Sequence, residues 1–212
     1  ELLIRNKDFY DNATPSGNSV AADVLLKLSH LLGDEKYQRF AVTVLRLVAP
    51  GVPDTYQGAE FWERAAGCDP LWAILSDPTK KDRGWDLASF FEHGRQEVAL
   101  LQQRLRQLRR VPRPGCALDF GCGVGRLTQA LAPSFDEIIG GDASPTMIRL
   151  AEQLNQHGSK VRYLLNTSPV IDGVASNTID FLYTDIVLQH LEPTRALGYI
   201  VDFIRVLAPG GI

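Results

Sequence analysis

The tightest constraint on this chain is the run Ala117-Leu-Asp-Phe-Gly-Cys-Gly-Val-Gly-Arg126. A short apolar stretch ends in an acid, and glycines follow at 121, 123 and 125. Glycines at such a point let the backbone turn sharply at a strand end, and let a ligand approach without meeting a side chain. A dinucleotide-binding turn needs its third glycine three places after the second, and that position here is Arg126. A nicotinamide-dependent oxidoreductase is therefore disfavoured.

From this run onward, short apolar segments alternate with helical patterns. Strands are expected at 116–120, 137–141, 160–165 and 178–184, with helices between them at about 124–132, 145–156 and 193–207. That alternation predicts an α/β fold: a Rossmann-like, doubly wound, mostly parallel sheet of about four strands. The core is expected over 111–212. Upstream, apolar residues at helical spacing (Val20, Val24, Leu28, Leu31; then Tyr37, Phe40, Val44, Val48) predict a helical hairpin over 1–48 broken at Gly33. Residues 49–68, with Pro50, Gly51, Pro53 and Gly58, read as a linker. Residues 69–110 read as a helical cap whose last helix runs from about Gly94 to Arg110 and stops at Val111-Pro-Arg-Pro-Gly115.

Composition narrows the class. Hydrophobic residues make up 45% and charged residues 22% of the 212, the balance of a globular protein, and the net charge of -3 gives no pull toward nucleic acid. The basic cluster Arg104–Arg113 reads as a solvated helix face. Three cysteines (Cys68, Cys116, Cys122) lack metal-ligand spacing and suggest a reduced, cytoplasmic setting. No stretch is long and apolar enough to span a membrane, and no export signal opens the sequence.

A second acid, Asp142, closes the predicted strand Ile138-Ile-Gly-Gly-Asp142 and is followed by Ala-Ser-Pro-Thr-Met147. An acid at the end of the second strand of a nucleoside-binding α/β fold can accept both ribose hydroxyls; by itself it could equally be a carboxylate at a helix N-terminus. The two motifs together resemble the class I S-adenosylmethionine-dependent methyltransferases, with their acid-x-Gly-x-Gly-x-Gly turn and Asp-x-Ser-x-x-Met segment. The resemblance implies S-adenosylmethionine as cofactor, held by Asp119, Gly121, Cys122, Gly123, Gly125, Asp142, Ala143 and Met147. A carboxylate at the strand end suits a ligand carrying a sulfonium and an ammonium. Where many family members have an acid for the adenine amino group, this chain has Asn166-Thr-Ser168, so Asn166, Thr167 or backbone groups would serve.

The segment Ile179-Asp-Phe-Leu-Tyr-Thr-Asp-Ile-Val-Leu-Gln-His-Leu191 resembles the family stretch that walls the reaction centre, making Asp185, Gln189 and His190 candidates there. His190 reads either as a general base or as a structural residue. Ile204-Arg-Val-Leu-Ala-Pro-Gly-Gly211 matches the turn before a fifth strand, where the chain stops; this reads as a fragment whose fourth-strand edge is bare and open to self-association.

Residues 69–95 resemble the pocket-capping segment of small bacterial methyltransferases, with Trp72, Trp85, Phe90 and Phe91 as lid or packing aromatics. Residues 9–45 resemble part of the spermatogenesis-associated thioredoxin-domain proteins, and Ala49–Trp62 a segment of maltooligosyl trehalose synthases. Both are too short to bring an activity. The expected function is methyl transfer to a small-molecule acceptor, with a mosaic that binds cofactor or partner without turnover as the alternative.

Overall fold

The computed structural model describes residues 59–191 and 193–212. The hairpin expected over 1–48 and the two short N-terminal resemblances, apart from the last residues of the second, lie outside that range. The segment 49–68, a linker on sequence grounds, ends in a helix: α1 spans Ala59–Cys68. Asp69 then caps α2 (Pro70–Ile74), its carboxylate accepting from the Trp72 amide at 3.3 Å, with Pro70 in the first turn, where proline is tolerated.

Helix α3 runs from Leu87 to Gln107, seven residues earlier at its start than the periodicity predicts. Asp86 is the cap, accepting from the Ser89 amide at 2.9 Å. Gly94, the expected boundary, lies inside the helix because α3 crosses the start of α4 there. A Cβ on Gly94 would fall 2.7 Å from Arg126 Cγ and 2.8 Å from the Arg126 carbonyl oxygen.

Four parallel strands follow: β1 (Cys116–Phe120), β2 (Glu137–Asp142), β3 (Val161–Leu165) and β4 (Phe181–Tyr183). Helices α4 (Arg126–Leu131), α5 (Pro145–Leu154) and α6 (Pro193–Val206) lie between and after them. The spatial order is β3-β2-β1-β4. The expected parallel, Rossmann-like sheet is thus the observed one. Alternation along the strands splits the core. Ala117, Ile138, Val161 and Phe181 pack with Val98 of α3 and Leu127 and Leu131 of α4 on one face. Leu118, Phe120 and Ile139 pack with Tyr199, Phe203 and Val206 of α6 on the other.

Strand β4 is shorter than the expected 178–184, and Asp180 directly precedes it. Its carboxylate accepts from the Cys116 amide at 3.1 Å and pairs with Arg113 at 2.7 Å. Its free edge is also not bare. Leu207 bridges Ile179 in parallel, the Ala208 amide donates to the Ile179 carbonyl at 2.8 Å, and Ile212 exchanges bonds with Asp180 and Leu182 at 3.0 and 2.8 Å. Residues 207–212 cover the edge that the sequence reading leaves open.

Candidate functional site

The order β3-β2-β1-β4 puts the switch in winding direction between β1 and β4, and open α/β sheets bind ligands in the crevice outside the carboxyl ends of strands at such a point. Three segments meet there: the glycine turn after β1, the end of β2, and residues 184–190 after β4.

Gly121, Gly123 and Gly125 all have positive φ, at 84°, 54° and 83°. The amides of Gly121 and Cys122 both donate to the Gly141 carbonyl, at 2.7 and 3.0 Å, which fastens the turn to β2. Asp142 completes the fastening: Oδ2 accepts from the Gly123 amide and Oδ1 from the Ser144 amide, both at 2.9 Å. Burial raises the Asp142 pKa against the lowering effect of these amides, with the Glu63 charge adding a smaller upward push. Asp119, only 2% exposed, accepts a 2.6 Å hydrogen bond from Thr128 Oγ1, and burial pushes its pKa up to about 6. Its carboxylate therefore braces the turn from below and does not line the crevice.

The other expected binding residues divide. Cys122 is buried, with its thiol pKa driven up by burial, so it is a packing residue and not a nucleophile. Ala143 is half-buried beside Asp142. Met147 is enclosed with Ala66, Phe90 and Val124 in the cluster that joins cap to core. Asn166 is committed elsewhere: its amide donates to the Tyr199 hydroxyl at 3.3 Å, and its Oδ1 accepts from the Asp172 amide at 3.2 Å. Of the groups expected to meet adenine, the Asn166 side chain is thus engaged within the fold, while Thr167 is exposed at the same turn with its carbonyl accepting from Arg195 at 2.7 Å.

On the β4 side, Asp185 is exposed at the crevice, and its pKa is raised first by burial of part of its carboxyl and then by the Glu97 charge. Thr184 Oγ1 is buried without a hydrogen-bonding partner among the described residues, and so is His190 Nδ1. Burial lowers the His190 pKa, so the ring is neutral near pH 7. Its ring meets Trp62 edge-on, with centroids 5.0 Å apart. Ile186 holds a φ of 55°, a strained value for a β-branched residue, in the middle of this segment.

Charge in the region is mostly negative. Arg126 is the facing cation: 95% buried, it pairs with Glu97 at 2.7 Å and lies 5.9 Å above the Phe90 ring. Against it stand Asp119, Asp142, Glu97 and Asp185.

The cap closes the crevice through residues that motif reading does not reach. Ile74 Cδ1 of α2 lies 2.5 Å from where a Cβ on Gly123 would sit; from the β4 side, within the stretch Ile179–Leu191, Val187 Cγ2 lies 2.1 Å from the equivalent point on Gly121. Glu63 of α1 accepts from Ser144 Oγ and Thr146 Oγ1, each at 2.5 Å, across more than eighty residues of sequence. The expected lid aromatics are internal staples of the cap. Trp72 Nε1 donates to the Asp77 carbonyl and Trp85 Nε1 to the Leu75 carbonyl, both at 2.9 Å, while Phe90 is fully buried. On the far side of the turn, Tyr163 of β3 packs against Gly125 and Gly140; an added Cβ would fall 2.1 Å from its hydroxyl oxygen at Gly125 and 2.8 Å from its ring at Gly140.

A family model described as a methyltransferase domain matches residues 117–211. That stretch is thus similar to methyltransferase domains. The domain is 33% identical over 95 residues to a methyltransferase of Synechocystis, covering 45% of this chain and 43% of that one. It is 31% identical over 96 residues to a ubiquinone biosynthesis O-methyltransferase of Cereibacter sphaeroides, covering 45% and 38%. The chain thus spans less than half the length of these curated relatives. In fold, the chain superposes on a phosphoethanolamine N-methyltransferase of Haemonchus contortus with a TM-score of 0.52 and 18% identity, covering 70% of this chain and 29% of that one. That structure holds S-adenosylhomocysteine and phosphoethanolamine. The residues at the crevice suit S-adenosylmethionine: a turn of three glycines with positive φ, a carboxylate at the end of β2, a Thr184 hydroxyl without a partner among the described residues, and the carboxylates of Asp142 and Asp185 toward a sulfonium and an ammonium.

Proposed function

We propose that this chain binds S-adenosylmethionine at the carboxyl ends of β1, β2 and β4 and supports methyl transfer to a small-molecule acceptor. The observation that carries the reading is Asp142, held at the end of β2 by the Gly123 and Ser144 amides beside a turn of three left-handed glycines. Asp142 has lone pairs left for the two ribose hydroxyls. The glycine turn permits close approach of the methionine portion, and Thr184 Oγ1 supplies a polar contact from the β4 side. Asp185 and Gln189 face the acceptor side of the crevice. The bound cofactor supplies a reactive sulfonium methyl for in-line displacement, so the protein's task is orientation and exclusion of water. His190, neutral and with Nδ1 unpartnered, is the group able to take a proton from a hydroxyl acceptor; its contact with Trp62 equally supports a packing role. A second reading, binding without turnover, draws on the closeness of Ile74 and Val187 to the glycine turn.

Titration calorimetry with S-adenosylmethionine and S-adenosylhomocysteine tests the binding claim. The expected result is measurable heat with the wild type and at least tenfold weaker affinity for Asp142→Ala. Silence at millimolar ligand sinks the cofactor reading. An acceptor panel, begun with hydroxyl compounds because one relative is an O-methyltransferase, separates turnover from mere binding.

A further inference from the structure

Helix α1 reaches both lips of the crevice. From the β2 lip, Ser144 and Thr146 present their hydroxyls, and Thr146 also its amide at 3.2 Å, to the Glu63 carboxylate. From the β4 lip, His190 receives the neighbouring Trp62. Between these two contacts α2 lays Ile74 onto Gly123. Three features make the Glu63 contact more than a surface bond. It is made to a carboxylate, so each bond is charge-assisted and short. It falls at the first turn of α5, where free amides and the helix dipole favour an anion. And Ser144 uses the same hydroxyl to accept from the Met147 amide at 3.1 Å, so the cap of α5 and the grip on α1 are one hydrogen-bonded unit. Glu63 also stands next to Asp142, close enough for its charge to be felt there.

We propose that Glu63 is a positioning residue that latches the α1–α2 cap over the crevice, so that cofactor passes in or out only when the Glu63–Ser144–Thr146 clasp opens. This rests on the cofactor reading given above. With the clasp closed, Ile74 occupies the ground beside Gly123, and a ligand seated there needs the cap to lift. A latch of this kind sets the rate of exchange in both directions more than the affinity.

Two measurements on the whole chain test it, one needing no ligand. In limited trypsin digestion, Glu63→Ala is expected to speed cleavage within the cap, at Lys80, Lys81 and Arg83, at least tenfold while leaving cleavage at the core site Arg162 unchanged. Thr146→Val, which removes a partner without touching α1, is expected to give a smaller increase, and the double variant no more than Glu63→Ala alone. In stopped-flow binding of S-adenosylhomocysteine, Glu63→Ala should raise association and dissociation rates together, by about tenfold each, with Kd moved less than threefold. Glu63→Gln, which still accepts from a hydroxyl, should lie between. Unchanged cap cleavage overturns the latch. So does a rise in dissociation rate alone, which would make Glu63 an ordinary affinity contact. If the wild type binds no S-adenosylhomocysteine, the cofactor reading fails while the digestion result still decides the latch in the ligand-free protein.

Discussion

At the residue scale, two acids alike in sequence do different work. Asp119 lies one residue from the end of β1 and Asp142 ends β2, and motif resemblance gives both to the cofactor. The structure buries Asp119 against Thr128 and turns Asp142 to the crevice rim, and no spacing pattern separates those outcomes, because they depend on which neighbour offers a hydroxyl and which offers amides. The difference has a pH signature. Because burial lifts the folded-state pKa of Asp119 to about 6 from its ordinary 3.8, the fold favours its protonated form. Its contribution is most favourable below pH 3.8 and is lost as pH rises through 6, a swing of about 3 kcal/mol at one pKa unit per 1.36 kcal/mol. Asp119→Asn keeps an oxygen for Thr128 and cannot ionise. Urea denaturation at pH 4 and pH 8 should show the variant gaining stability relative to wild type at the higher pH. A stability difference between variant and wild type that is flat across this range would exclude a raised pKa.

At the element scale, the packing of α3 on α4 shows why helix boundaries were only partly legible. Glycine is a poor helix former, so Gly94 reads as a start. It is instead the place where two helices touch most closely, a long-range fact about Arg126. Replacing Gly94 by Ala should raise local helix propensity and yet destabilise the protein by about 1–3 kcal/mol, as overpacking against a backbone carbonyl usually does. A thermal midpoint equal to or above wild type would show that the helices part at no cost. The same reasoning explains why Glu63 and Ile74 escaped motif reading. Each matters through a partner far away in sequence, whereas the glycine turn and Asp142 each sit at the corner of a strand-turn-helix unit and announce themselves locally.

At the scale of the whole molecule, the parallel sheet and the place of its crevice followed from the alternation of strand and helix patterns, since few topologies satisfy short, right-handed crossovers. The condition of the β4 edge did not follow, because pairing by Ile212 and its neighbours is a matter of tertiary position and not of periodicity. Removal of residues 207–212 is expected to expose the row of groups from Ile179 to Leu182 to other copies of the chain. Sedimentation velocity should then show a shift from the parent chain's boundary to larger, concentration-dependent species. An unchanged sedimentation coefficient would mean that the edge is protected by something other than these six residues. Among the described residues no helix is long and apolar enough to cross a membrane.

Tyr163 joins these scales. Its ring fills the space that side chains at Gly125 and Gly140 would need, and so couples a turn after β1 to the middle of β2 through a residue of β3. The order in which these positions can change during descent is thereby restricted. A larger residue at 140 becomes tolerable only once the aromatic ring at 163 has been reduced. Position 125 remains constrained even then, because its φ of 83° stays unfavourable to side chains. Among relatives, 140 and 163 should therefore vary as a pair, with the loss of the ring coming first, while 125 stays glycine in both backgrounds.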